Sequence, residues 1–107
     1  MGQPKDQVAT QPNNGTEDQG VTIQDIVKDI LAELQRAEEK HPNWPTDPLH
    51  AVAVLGEEFG ELTQAVLDVV YDPSKGSVHF VREEAIQTAA MAIRFLINME
   101  KYRYEVG

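Results

Sequence analysis

The amino-acid sequence predicts an all-α fold with three main helices. Three segments carry apolar residues at the i, i+3, i+4, i+7 spacing of an amphipathic helix. Segments with the composition of breaks and turns separate them, at residues 41–45 and 72–76. The sequence has no Gly-rich phosphate loop, no internal repeat and no alternating strand pattern. We expect the three helices to form a helical bundle through oligomerisation.

Residues 1–20 differ in composition from the rest of the chain. They are rich in Gln, Asn, Gly, Pro and Asp, and Val8 and Ala9 are their only apolar residues after the initiator Met. Such a segment cannot bury enough apolar surface to offset the entropy that it loses on ordering. We therefore predict a disordered tail over residues 1–20 and a single helical domain over residues 21–107.

The first helix is predicted to begin at Thr22 and to run to about Lys40. Thr22 followed by Asp25 three residues later is the pattern of a capping box, in which side chains bond the free backbone N–H groups of a helix start. Pro42 and Pro45 then end the helix, because two prolines so close together cannot lie inside one.

The second helix has a clear start signal, with Asp47 as N-cap and Pro48 at the first helical position. It is predicted to continue to about Tyr71. At 100° per residue its large apolar residues cover one broad side. The opposite wedge is polar and holds His50, Glu57, Glu61, Gln64 and Asp68.

The third helix is predicted over residues 77–101. Its apolar residues surround most of the circumference, and only a narrow wedge is polar. A helix that is apolar on three sides must be covered on three sides, and two other helices are too few for that. We therefore expect a homodimer or homotetramer, formed through this third helix.

The composition excludes several classes of protein. The net charge of −9 argues against nucleic acid or an anionic membrane as the main partner. The absence of Cys excludes disulfides, thiolate metal sites and a Cys nucleophile. No apolar run approaches the roughly 20 residues of a membrane span, so we expect a cytoplasmic protein.

Carboxylates without basic partners are the strongest functional signal. Glu57, Glu58 and Glu61 lie on the second helix, Glu84 and Gln87 lie on the third, and no Lys or Arg occurs between residues 41 and 74. A hairpin through residues 72–76 can place the two groups opposite each other at similar heights. Clustered oxygen ligands suit Mg²⁺ or Mn²⁺. The alternative is that these acids form the solvated side of an amphipathic helix.

In these carboxylates and their helical setting, the chain resembles the MazG-like branch of the all-α nucleoside triphosphate pyrophosphohydrolases. The signature of that superfamily is E-E-x-x-E on one helix and E-x-x-D on the next. This sequence has Glu57-Glu58-Phe59-Gly60-Glu61 and then Glu84-Ala85-Ile86-Gln87. The resemblance covers residues 23–102. It implies Mg²⁺ ligands at Glu58, Glu61 and Glu84, with Glu57 and Gln87 at the remaining metal positions of the signature.

Gln87 departs from the signature, because the family has Asp at this position. The resemblance also implies that an aromatic residue before the second helix contacts a nucleobase, and Trp44 occupies that place. A lid that packs over the end of the second helix is the structural alternative for Trp44. Asn98 and Lys101 match loosely the downstream substrate-binding positions. Arg94 is expected to pair with Glu83 or Glu84.

The resemblance implies a Mg²⁺-dependent hydrolase that cleaves a nucleoside triphosphate into a nucleoside monophosphate and pyrophosphate. Glu58 and Glu61 are the catalytic candidates, and either can orient the attacking water. Gln87 leaves a second hypothesis open, a degenerate member that binds a nucleotide or a partner protein without turnover. A plain helical interaction module is the third.

Overall fold

The structure, a computed structural model, describes residues 20–105 and contains within that range three α-helices and no β-strand. Helix α1 spans Ile23–Lys40, α2 spans Pro48–Tyr71 and α3 spans Val78–Ile97, followed by a 3₁₀ turn at Met99–Lys101. The predicted all-α fold with three main helices is thus confirmed. The predicted tail lies outside the described residues, apart from Gly20. Between residues 20 and 105, no helix combines the length and the apolarity needed to cross a membrane.

Side-chain caps fix the starts of α1 and α2. The Thr22 hydroxyl accepts a hydrogen bond from the Asp25 N–H at 3.1 Å, and the Asp25 carboxylate accepts one from the Thr22 N–H at 3.3 Å. The Asp47 carboxylate accepts from the Leu49 N–H at 2.9 Å, and Pro48 begins α2. Each cap satisfies a backbone donor that has no partner inside the helix. Both predicted caps are confirmed, and α1 begins at Ile23, one residue after the predicted start, because Thr22 is its N-cap.

A tight turn folds α3 back along α2. The Asp72 carbonyl accepts hydrogen bonds from the N–H groups of Lys75 and Gly76, at 2.9 and 3.1 Å. The backbone of Gly76 lies directly against α2, because a Cβ atom there would stand 2.5 Å from the carbonyl carbon of Asp68 and the nitrogen of Val69. Only glycine permits so close an approach. The two helices therefore run antiparallel.

The end of α3 differs from the prediction. The α-helix stops at Ile97 rather than near Lys101. The side-chain amide of Asn98 donates a hydrogen bond to the Arg94 carbonyl at 2.8 Å, and the chain then tightens into the 3₁₀ turn. This turn directs the buried Tyr102 back towards Trp44 and Phe95. Tertiary contacts thus end the helix before its apolar pattern does.

Helix α3 lies at the centre of the fold, because α1 and α2 both pack against it. The buried core is small and joins all three helices. It consists of Leu34, Ala37, Ala90 and Met91, with Ile30, Trp44, Leu55 and Ile93 packed around it. Large apolar side chains stay exposed on every helix, including Val78, Phe80, Leu96 and Ile97 of α3.

Helix α2 has three distinct sides. The side against α3 is half-buried or buried and contains a carboxylate among apolar residues, namely Ala51, Leu55, Glu58, Leu62, Ala65 and Val69. The second side is the acidic wedge with Glu57 and Glu61. The third side is apolar and exposed, although the sequence grouped its residues with the core-facing ones. Glu58 is therefore held in the helix–helix contact rather than in open solvent.

Candidate metal centre

Three carboxylates from two helices converge between α2 and α3. One oxygen from each of Glu58, Glu61 and Glu84 lies within 4.8 Å of the other two. The antiparallel hairpin causes this, since it places Glu61 beside Glu84 and the carbonyl of Glu58 beside Thr88. The structure thus brings together the three acids that the sequence singled out as metal ligands.

Thr88 ties the two helices together at the level of these carboxylates. Its hydroxyl lies 2.8 Å from the Glu84 carbonyl one turn earlier on α3, and 3.2 Å from the Glu58 carbonyl on α2. The hydroxyl can donate its proton to either oxygen. This contact holds the backbone under Glu58 at a fixed distance from the backbone under Glu84.

Burial and mutual repulsion raise the pKa of two of these acids. The pKa of Glu58 is raised above its ordinary value of 4.5 by burial and by the charges of Glu61 and Glu84. The pKa of Glu84 is raised by burial, by the charge of Glu61 and by a hydrogen bond with the Glu61 carboxyl group. Both effects disfavour the charged form. A cation among the three oxygens would relieve the repulsion.

Gln87 joins the cluster as a hydrogen-bond donor. The hydrogen-bond network assigns its amide nitrogen to the side facing the acids, where it donates to Glu58 Oε1 at 3.2 Å and to Glu84 Oε1 at 3.3 Å. The amide therefore bridges the two helices where the resemblance expects an acid. Its predicted role as a metal ligand stays a prediction. Glu57 is exposed and does not belong to the converging group.

Glu33 on α1 is a member of this environment that the sequence did not reveal. Its side chain is 16% exposed and pairs with Arg36, and its charge also raises the pKa of Glu58. In the sequence, Glu33 and Arg36 resemble an ordinary i,i+3 surface pair. Only the packing of α1 on α3 brings this pair to the carboxylates, so no local signal could have identified it.

A pocket of about 400 Å³ opens beside the carboxylates. Glu58 and Gln87 lie on its wall, and Trp44 and the three basic residues Arg36, Lys40 and Arg94 also line it. Its volume falls within the range of small-molecule sites. His50, which the sequence left unassigned, borders the same pocket. A smaller pocket of about 290 Å³, which contains Glu61 and Glu84, opens on the other side of the carboxylates.

Trp44 is held in place by a hydrogen bond and a cation–π contact. Its indole N–H donates to the Tyr102 hydroxyl at 2.8 Å, and that hydroxyl donates to the Phe95 carbonyl at 2.9 Å. The guanidinium of Arg94 lies over the indole ring, 5.1 Å from its centre. Trp44 thus packs against the core and also lines the pocket. Contact with a nucleobase stays a prediction.

Arg94 does not pair with Glu83 or Glu84, so that prediction was wrong. Its guanidinium donates to the His41 carbonyl, and the residue is 4% exposed. It lies ten residues after Glu84, which places it nearly three helical turns away. Glu83 pairs with His79 instead, with 3.0 Å between the imidazole Nε2 and a carboxylate oxygen.

Asn98 and Lys101 lie apart from the carboxylates. Asn98 is buried and caps the end of α3, whereas Lys101 is exposed in the 3₁₀ turn. Both line a separate pocket of about 420 Å³ that shares Trp44 and Arg94 with the pocket beside Glu58. Their predicted role in substrate binding stays a prediction.

Comparison of the chain with protein-family models, with curated proteins and with solved structures found no match. The resemblance to the MazG-like pyrophosphohydrolases therefore depends on the carboxylate signature and its helical setting. The geometry defines a helical protein with three converging carboxylates beside a pocket.

Proposed function

We propose that this protein is a divalent-metal-dependent nucleoside triphosphate pyrophosphohydrolase, which releases a nucleoside monophosphate and pyrophosphate. The observation that carries the proposal is the convergence of Glu58, Glu61 and Glu84 within 4.8 Å. Of the three, Glu58 also lies on the wall of the pocket that contains an aromatic residue and three cations. The proposal includes a cytoplasmic homodimer or homotetramer, as the sequence predicts.

The donor set fits a hard divalent cation. All three groups are carboxylates, and neither Cys nor His is among them. Such oxygen ligands suit Mg²⁺, with Mn²⁺ as a substitute, rather than zinc. When bound, the ion neutralises charge on the substrate phosphates and polarises the bond that is cleaved.

The chain's own residues supply positioning. The Gln87 amide holds the Glu58 carboxylate, and the Glu61 carboxylate lies against Glu84, so either can orient a water molecule. Trp44 offers an aromatic surface to a nucleobase. Arg36 and Lys40 line the same pocket and offer positive charge to the phosphates. Asn98 and Lys101 border the neighbouring pocket and contact the outer part of the substrate.

The test is a panel of nucleoside triphosphates assayed with Mg²⁺ or Mn²⁺, with pyrophosphate and free phosphate measured separately. We expect pyrophosphate release by the wild type, and a loss of at least about 100-fold in Glu58→Gln and Glu61→Gln. Glu39→Gln is the matched control, because it removes the same charge from an exposed position on α1. Full activity in Glu58→Gln or Glu61→Gln, with the helical fold intact, would remove the assigned site.

A second candidate function, binding without turnover, is supported by the Gln87 amide. Its N–H donors occupy oxygens of Glu58 and Glu84, and it brings no negative charge. On this hypothesis the wild type releases no pyrophosphate, nucleotide still raises its melting temperature, and Gln87→Asp gains activity. A ligand at a hundredfold excess over its dissociation constant stabilises by about 2.7 kcal/mol. If no nucleotide with Mg²⁺ shifts the melting temperature, the third hypothesis, a helical interaction module, remains.

A further inference from the structure

The third side of α2 is an exposed surface without charge. Between positions 49 and 70 of α2, ten residues fall within about 140° of the helix circumference at 100° per residue. We call this surface the α2 stripe; it consists of Leu49, Val52, Ala53, Gly56, Phe59, Gly60, Thr63, Val66, Leu67 and Val70. All ten are exposed, and none is charged in a chain of net charge −9. None of them lines the pockets beside the carboxylates.

The stripe exposes a large amount of apolar surface to water. Leu49 is 77% exposed, Phe59 60% and Val70 59%, and three further large side chains contribute. Together the six expose on the order of 600 Å², which is the upper end for the largest patch of a monomer. Two such surfaces reach about 1,200 Å², the lower bound of a stable interface.

The stripe is complementary to itself. When position i is paired with position 119 − i, all ten residues fall into five pairs with no residue left over. Large residues pair at the ends, as Leu49 with Val70 and Val52 with Leu67. At the centre Phe59 pairs with Gly60. The space above Gly60 is open, because a Cβ atom there would have no neighbour within 4 Å. A large side chain opposite a small one is the pattern of a packed interface.

Other occupants fit the stripe less well. Residues 1–19 contain only Met1, Val8 and Ala9 as apolar residues, too few to cover six large side chains. An unrelated partner would have no reason to match a two-fold pattern. Two copies of an acidic chain repel each other through their like charges, and this repulsion is smallest at a surface that carries no charge.

We propose that a second copy of this chain packs antiparallel on the α2 stripe, with the two-fold axis at the Phe59–Gly60 peptide. An isologous contact of this kind uses the same surface on both protomers. The glycines at 56 and 60 let the two backbones approach closely. This inference deepens the homo-oligomer part of the proposed function, and it moves the contact from α3, where the sequence predicted it, to α2.

Cysteine cross-linking tests the direction of pairing, because the sequence contains no Cys. Antiparallel pairing puts Leu49 beside Val70 of the partner subunit and separates the two copies of residue 49 by about 31 Å. A disulfide needs Cα atoms within about 7 Å. We expect a mixture of Leu49→Cys and Val70→Cys chains to form mixed disulfide dimers, identified by mass, while each variant alone stays reduced.

The strength of the contact is tested by the oligomeric state of the full chain. We expect the wild type to be dimeric or larger at tens of micromolar in light scattering. Phe59→Glu should raise the dissociation constant by at least about 100-fold, because the lost contact occurs twice in each dimer. Leu96→Glu is the matched control, an exposed apolar residue of α3 that is 64% exposed. Circular dichroism verifies that both variants stay helical.

Three results would overturn this inference. A wild type that is monomeric at these concentrations excludes a second copy on the stripe. Disulfides within Leu49→Cys alone show parallel pairing. Dissociation by Leu96→Glu but not by Phe59→Glu places the contact on α3. Pyrophosphate release is measured separately, so loss of the dimer contact and loss of the catalytic site give different outcomes.

Discussion

Removing one carboxylate from the converging group should stabilise the metal-free protein. Glu58→Gln keeps the size of the side chain and an oxygen that can accept from the Gln87 amide. It removes repulsion with both Glu61 and Glu84, whose oxygens lie within 4.8 Å. At that distance two charges repel by about 0.9 kcal/mol in water and about 3.5 kcal/mol at an effective dielectric constant of 20.

Exposure to solvent places the expected gain in the free energy of unfolding near the lower of these two limits. Glu61 is exposed, and Glu58 and Glu84 are only half-buried, so solvent screens both repulsions. We expect Glu58→Gln to raise the free energy of unfolding by about 1–2 kcal/mol at pH 7. For a domain of this size, each kcal/mol shifts the melting temperature by about 4–8 °C. Divalent ion should reverse the order, since the variant lacks a ligand.

The assay is thermal unfolding at low salt, with EDTA and then with Mn²⁺. Glu57→Gln is the control for stability, because it removes the same charge one residue earlier on α2, outside the converging group. We expect it to change the melting temperature in EDTA by much less than Glu58→Gln does. A metal-free Glu58→Gln protein that melts below the wild type would refute the reasoning, since the carboxylates would then be stabilising one another.

The structure supports three further predictions. Because the pKa values of Glu58 and Glu84 are raised from 4.5, the folded protein binds these two protons more tightly than the unfolded chain does. The free energy of unfolding that this proton binding contributes is present below that pH and is lost as the pH rises through the raised values. Urea unfolding should therefore show the wild type losing stability relative to the double variant Glu58→Gln/Glu84→Gln between pH 4 and 7; a constant difference would contradict this. Gly76→Ala should cost about 1–3 kcal/mol in urea unfolding, because its Cβ would stand 2.5 Å from the α2 backbone, whereas the exposed Lys75→Ala should cost little. Arg94→Lys should lose the guanidinium contact over the Trp44 ring and redshift the fluorescence of this single tryptophan; an unchanged spectrum with unchanged stability would show that this cation–π contact contributes nothing.

Local signals in the sequence were enough to predict where α1 and α2 begin. Thr22 with Asp25, and Asp47 with Pro48, act on backbone groups within three residues, so the structure around them follows from the sequence nearby. The convergence of Glu58, Glu61 and Glu84 was also predictable. It needed only two helices of similar length on either side of a short turn.

Features that depend on contacts between distant residues could not be predicted in this way. Helix α3 ends at Ile97 because Asn98 and Tyr102 bond to α3 and to Trp44, although the apolar pattern continues. Glu33 reaches the carboxylates only through the packing of α1 on α3. The exposed stripe of α2 was grouped with core positions, because periodicity identifies an apolar side but not the element that covers it.

One helix, α2, packs on α3 with its first side, carries Glu61 on its second and exposes the α2 stripe on its third. If this helix rolls about its long axis, the Glu58 and Glu61 oxygens shift relative to Glu84, and the stripe on the far side turns with them. A force applied on either side is therefore transmitted to the other without any flexible link. If an ion and the occupant of the stripe each favour one angle of roll, thermodynamic reciprocity requires each to change the affinity of the other by the same factor.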